Sequence, residues 1–142
     1  MRQHSEEIIS PYKPEQLYAM VADVAKYPEF IPWCSGARIV EKNAEWIIAD
    51  LLIGFKGINE TYRSKVHLRE NEIDIEYLRG PFSHLENRWQ FTPYEGGTKI
   101  SFLIKFEFKS KILDMIMGGL FDKACMKMVG AFEKRADELY GK

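Results

Sequence analysis

The chain has 142 residues, with 20 basic and 21 acidic side chains and a net charge of −1; this is the size of one domain, able to bury roughly two-thirds of its unfolded surface, and the lack of any long like-charge run argues against DNA as a partner. Two cysteines, Cys34 and Cys125, stand far apart without metal-type spacing, and the polar start MRQHSEE has no apolar signal core, so a reduced, cytoplasmic protein is expected. The longest uncharged stretch, Met115 to Phe121, is far below the ~20 apolar residues of a membrane span, which limits any membrane contact to a peripheral one.

Residues Gln3 to Ile9 alternate weakly and stop at Ser10-Pro11, as an edge or hairpin strand does. In "SPYKPEQLYAMVADVAKYP", Leu17, Met20, Val21 and Val24 follow Pro14 at helical spacing, which predicts an amphipathic helix ending before Pro28. The next stretch, "KYPEFIPWCSGARI", crowds large side chains between Pro28 and Pro32, which permit at most a helical turn through Glu29 to Ile31.

From Arg38 the period becomes two. Strands are predicted near residues 36 to 43, 45 to 54, 58 to 69, 72 to 78, 84 to 93 and 97 to 108, separated by Lys42-Asn43, Gly54 to Gly57, Glu70-Asn71, Gly80-Pro81 and Glu95-Gly96-Gly97. Such short connections imply an antiparallel meander. Ile58, Tyr62, Val66 and Leu68 share one parity, against Asn59, Thr61, Arg63, Lys65, His67 and Arg69 on the other; Ile100, Phe102, Ile104, Phe106 and Phe108 repeat the split. Helical spacing returns from Ser110 to Tyr140 through Phe121, Cys125, Met128, Phe132, Ala136 and Leu139, a long C-terminal helix that Gly118-Gly119 divides from a short apolar turn, Ile112 to Met117.

This order predicts an α+β fold, one domain over residues 1–142: a curved antiparallel sheet wrapped around a long C-terminal helix, with two short helices near the N-terminus. The sheet closes least well beside the short helices, so Tyr27, Phe30, Ile31 and Trp33 are placed to plug or line the mouth of an apolar cavity, or to form the second wall of a packed core. Inward candidates on the strands and C-terminal helix are Tyr62, Tyr77, Asn87, Trp89, Phe102, Phe106, Phe121 and Phe132. Tyrosine hydroxyls and an asparagine amide can satisfy acceptor groups on a ligand. Glu60 and Ser64 share the inward parity of Tyr62, with Glu60 expected at a solvated strand end.

"VADVAKYPEFIPWCSGARIV", "IGFKGINETYRSKV" and "FDKACMKMVGAFEKRADELYGK" resemble the coenzyme Q-binding, ribosome-association-toxin branch of the START-like superfamily, nearly end to end. The run Asp23, Tyr27, Pro28, Phe30, Pro32, Trp33, Cys34 carries the resemblance. It implies a helix-grip fold and a lipid-sized internal cavity. It also implies ubiquinone or a related lipid as bound ligand, in a chaperone-like role for respiration as in mitochondrial relatives. A bacterial relative instead blocks association of ribosomal subunits, and both roles attach to the same pattern.

No catalytic residue is nominated, so the chain reads as a non-enzymatic binder that requires no cofactor and no metal. His67 and His84 lie in polar parities, His4 lies in an end strand, and Cys34 and Cys125 read as small buried hydrophobes. On the outside, Arg63, Lys65 and Arg69 offer a small basic surface for a ribosome contact. Ile48 and Leu52 beside Asp50 read as ordinary surface or as part of a partner or membrane patch, and Ile112, Leu113, Ile116, Met117 and Leu120 suggest either packing or an apolar lid.

Overall fold

The computed structural model describes residues 1–55 and 58–141; Lys56 and Gly57 of the expected Gly54 to Gly57 turn, and the inward side chain predicted for Ile58, lie outside the described residues. The elements in chain order are β1 (Arg2–Ser10), α1 (Pro14–Ala22), a 3-10 turn (Val24–Glu29), β2 (Cys34–Lys42), β3 (Trp46–Phe55), β4 (Ile58–Arg69), β5 (Glu72–Arg79), β6 (Phe82–Tyr94), β7 (Gly97–Phe108), α2 (Lys111–Met126) and α3 (Met128–Tyr140). All seven strands form one antiparallel sheet in the order β1-β7-β6-β5-β4-β3-β2. Thus β2 to β7 make the expected meander, and β1 adds to its far edge. Bulges in β2 and near Phe82 break the register and help the sheet curve.

Period-two patterning puts one face of this sheet in the core. Tyr62, Ser64 and Val66 of β4, Leu85, Trp89 and Phe91 of β6, and Ile100 to Phe108 at alternate positions of β7 are buried. The edge strand β1 departs from that pattern. Its register against β7 pairs Glu6 with Phe102 and His4 with Ile104, so Arg2, His4 and Glu6 share the inner parity. His4 Nε2 lies 3.0 Å from Glu6 Oε1, and Arg2 reaches Asp114 of α2 at 3.6 Å.

The short N-terminal helix ends earlier than expected. Its C-cap is Asp23, and the chain then tightens into the 3-10 turn that contains Pro28, in place of a turn through Glu29 to Ile31. At the other terminus Ser110 caps α2, its Oγ accepting from the Leu113 N–H at 3.1 Å.

The C-terminal helical arm is interrupted at Lys127, not at Gly118-Gly119, which lies inside α2. The inward side chains explain the position. Met117, Phe121, Cys125 and Val129 are spaced by four, and at 3.6 residues per turn such a stripe drifts roughly 40° per step. A break at Lys127, whose N–H donates to the carbonyls of Lys123 and Ala124, lets Met128, Val129, Phe132 and Ala136 face the sheet again.

Candidate functional site

The proline-stiffened segment divides into two parts. In the first, Tyr27 packs edge-on to Phe132 (5.5 Å between ring centroids), Phe30 does the same at 5.0 Å, and the Tyr27 hydroxyl donates to the Val21 carbonyl. Arg135 of α3 lies 5.1 Å over the Phe30 ring and donates to Glu29 at 2.7 Å. That hydrogen bond, with the nearby positive charges, holds the Glu29 carboxyl below its usual range. Aromatic pairs of this kind contribute ~0.5–1.5 kcal/mol each beyond burial, so Tyr27 to Phe30 is fastened to α3.

The second part, Ile31 to Trp33, turns toward the junction of α2 and α3. Its backbone is tied to β3, with the Gly54 N–H donating to the Trp33 carbonyl at 2.9 Å. The indole packs edge-on to Phe121 at 5.4 Å and is 3% exposed, yet its Nε1–H has no hydrogen-bond partner among the described residues. A buried donor left unpaired costs ~1–3 kcal/mol.

Between the inner sheet face and the helices lies a void of about 30 Å³, room for about two waters. Ligand pockets generally start at ~300 Å³. The lipid-sized cavity implied by the resemblance is therefore largely filled by the protein's own rings: Trp33 against Phe121, and Trp89 against Phe132 at 4.8 Å. The wall is apolar apart from Trp33, the hydroxyls of Tyr27, Tyr62 and Ser64, and the Asn87 amide, which donates to the Leu103 carbonyl at 2.8 Å.

Among the described residues, no histidine, carboxylate or amine lines this void. Burial pushes the Tyr62 hydroxyl well above its ordinary pKa, with Cys34, Tyr27 and Cys125 adding to the effect, and burial likewise raises Tyr27. The Cys34 thiol is pushed up to about 11 by burial, and Cys125 is raised for the same reason. All four groups are protonated and neutral near pH 7. Among the described residues, no cluster of three or more His, Cys, Asp or Glu side chains could hold a metal ion.

Trp33 and Met128 also border a second space, an apolar groove of about 330 Å³ on the outside of the molecule. Its walls are Ile31, Pro32 and Trp33 on one side and Leu120, Ala124, Met128 and Ala131 on the other, with Lys123 and Lys127 beside them. Trp33 and Met128 are the two residues common to both linings, so they form the partition between groove and void.

Of the twelve residues expected to line a cavity, Tyr27, Trp33, Tyr62, Asn87, Trp89, Phe121 and Phe132 border the void. Ile31 lines the outer groove instead. Phe30 stands behind Phe132, the Tyr77 hydroxyl accepts from the Phe82 N–H at 3.0 Å as a strut, and Phe102 and Phe106 form a second layer against Trp89 and Phe121. Sequence reasoning passed over Val24, Leu51, Val66, Ile75, Leu85, Ile104 and Met128, which complete the wall. Their inward parity or helical spacing was the available signal, outweighed by a preference for aromatics.

The outer sheet face differs from expectation. Arg63 makes a bidentate pair with Asp50 (2.7 and 3.0 Å), Arg69 pairs with Asp74, and the Lys65 ammonium lies 4.3 Å over the Trp46 ring. Each carboxylate is shared by two arginines, Asp50 also accepting from Arg38 and Asp74 from Arg88, so the expected basic surface is only partly compensated, and Asp50 is held well below its usual range by the hydrogen bonds from Arg63 and Arg38. Ile48 and Leu52 are half-buried. A broad hollow of about 550 Å³ lies over β1, β6 and β7, lined largely by polar side chains.

The family model described as polyketide cyclase/dehydrase and lipid transport matches residues 10–133. A Rickettsia prowazekii protein named ribosome association toxin RatA is 43% identical, over 92% of this chain and 93% of that one. A Xenopus laevis protein named coenzyme Q-binding protein COQ10 homolog B, mitochondrial, is 32% identical over 99% of this chain and 60% of its own length. Among solved structures, an 18 kDa protein from Caulobacter crescentus superposes with a TM-score of 0.77 at 34% identity, covering 100% of both chains. The Zhui aromatase/cyclase from Streptomyces sp. R1128 superposes at 0.83 with 14% identity, over 96% of this chain and 93% of that one, a likeness of fold alone.

Proposed function

Because the chain belongs to the polyketide cyclase/dehydrase and lipid transport family, we propose that it binds a hydrophobic isoprenoid quinone, ubiquinone or a near relative, without chemical turnover. It acts in the cytoplasm as a carrier or chaperone supporting respiratory electron transport. The observation that carries this reading is the unpaired Trp33 indole N–H in the partition between an apolar void and an apolar groove. A quinone carbonyl is an acceptor suited to that donor, with the Tyr62 and Ser64 hydroxyls on the same wall as further partners. Swinging Trp33 and Met128 aside joins the two spaces. The ring then occupies the enlarged void and the tail lies along the groove, each buried CH₂ of the tail contributing ~0.8 kcal/mol before ordering costs. The neutral wall supports binding over catalysis, since acid–base chemistry needs a titratable group within reach of the ligand.

The test is extraction and chromatography of protein gently purified from a quinone-producing host. Near-stoichiometric quinone is the expected result. Its absence, together with no uptake from quinone-loaded liposomes, overturns the reading.

A second reading follows from the name of the 43% identical relative: action on ribosomal subunit association. The face of Arg63, Lys65 and Arg69 gives it limited support, since Asp50 and Asp74 compensate part of its charge. Sedimentation profiles of ribosomal subunits with the protein in large excess decide the matter, an unchanged profile removing this second reading.

A further inference from the structure

Helix α2 is apolar on two opposite sides. Met117, Phe121 and Cys125 are buried against the sheet, while Ile112, Met115 and Ile116 are 71%, 83% and 53% exposed. The outward set, continued by Gly119, follows the spacing i, i+3, i+4, i+7, the stripe that a helix normally turns toward a core. Met126, 54% exposed, extends it by two turns. A surface helix of a globular protein carries charge on that side instead.

The fringe of this stripe is cationic. Lys109, Lys111, Lys123 and Lys127 are exposed, and none is ion-paired among the described residues. Of the two carboxylates on the helix, Asp114 faces Arg2 at 3.6 Å and Asp122 is half-buried. The whole chain has a net charge of −1, so the segment from Lys109 to Lys127, with four lysines and two aspartates, carries a charge opposite to that of the remainder.

We propose that the outer face of α2 docks on an anionic phospholipid bilayer, with Ile112, Met115 and Ile116 entering the headgroup–acyl boundary and the lysines meeting lipid phosphates. Exposed apolar side chains ringed by lysine are the chemistry of an interfacial helix, and lysines near an anionic leaflet are drawn to its surface potential. A second copy of this chain fits less well, since it brings lysine against lysine. RNA phosphates suit the lysines and leave Ile112, Met115 and Ile116 facing water. The groove continues from the same helix through Leu120, Lys123, Ala124 and Lys127, so docking sets its mouth beside the membrane. Passage of a lipid through that mouth rests on the carrier reading, whereas docking itself does not.

The test therefore uses quinone-free vesicles. The full chain is floated with vesicles of phosphatidylcholine alone and with added phosphatidylglycerol, and is separately challenged with ribosomal RNA on a filter. Flotation with the anionic vesicles only, weakened by salt, is expected. Combining Ile112→Gln, Met115→Gln and Ile116→Gln, and separately Lys123→Gln with Lys127→Gln, each lowers vesicle affinity by about tenfold or more. All five sites are exposed, and unchanged thermal unfolding verifies the fold. Equal flotation with neutral and anionic vesicles, no flotation, indifference to the triple substitution, or retention by RNA in place of vesicles overturns the proposal. Flotation of a protein that yields no quinone on extraction separates docking from the carrier reading.

Discussion

The two halves of the segment from Tyr27 to Trp33 are alike in composition and opposite in attachment. Tyr27, Phe30 and Glu29 are fastened to α3 by edge-on rings and the Arg135 ion pair, whereas Ile31 to Trp33 face an open apolar groove and leave an indole N–H unpaired. A run of aromatics between prolines is therefore not one functional unit. The fastened half is expected to set stability, and on the proposed carrier reading the groove half is the part that moves for a ligand.

The largest expected effect comes from removing the ring that fastens the first half. Phe132→Ala deletes the contacts to Tyr27, Phe30 and Trp89 together, and a loss of about 3–5 kcal/mol is expected in denaturant unfolding. Phe30→Ala falls at the lower end, about 3 kcal/mol, because the ring is half-buried. Quinone retained per folded molecule should hardly change for Phe30→Ala. A proportional loss of ligand would return Phe30 to the mouth of the cavity.

Trp33→Phe should show the reverse balance. It keeps most of the apolar volume and removes an unpaired donor, so stability moves by less than about 1.5 kcal/mol. Losing one hydrogen bond to a quinone carbonyl, about 0.5–1.5 kcal/mol, weakens retention by up to about tenfold. Unfolding by this substitution would make the two halves equally structural.

The smallest effect lies in the pH dependence of the Arg135 pair. The folded pKa of Glu29 is depressed, first by its hydrogen bond from Arg135. Its contribution is therefore present above the unfolded carboxyl pKa and is lost as pH falls through the folded one. Arg135→Gln should flatten that part of the acid limb in thermal unfolding measured from neutral to acid pH, and leave stability near neutral pH only slightly lowered. An unchanged acid limb would mean that the pair does not fasten the segment.

The strands were legible because period two survives in a sheet with one buried face, which placed Tyr62, Asn87 and Trp89 on the wall in advance. The direction of Phe30 and Ile31 was not, since a 3-10 turn running through Pro28 sets it, where neither strand nor α-helix periodicity applies. Gly118-Gly119 suggested a break because glycine favours one locally, yet the helix continues there and yields at Lys127, where the inward stripe drifts. The pairing of Arg63 and Arg69 was hidden for a related reason. Asp50 and Asp74 sit on adjacent strands, and only the register sets Asp50 opposite Arg63 and puts Asp74, opposite His67, within diagonal reach of Arg69.

The most direct test of the carrier account uses the protein's own indoles. Trp33 and Trp89 line the void, while Trp46 lies on the outer face with its Nε1–H on Glu41. Titration of short-tailed ubiquinone into Trp46→Phe should quench the remaining fluorescence saturably, near an equimolar ratio. The chain carrying Trp33→Phe and Trp89→Phe, its only indole at Trp46, should remain bright. Saturable quenching confined to the Trp46 chain, or none in either, would contradict a quinone site behind Trp33.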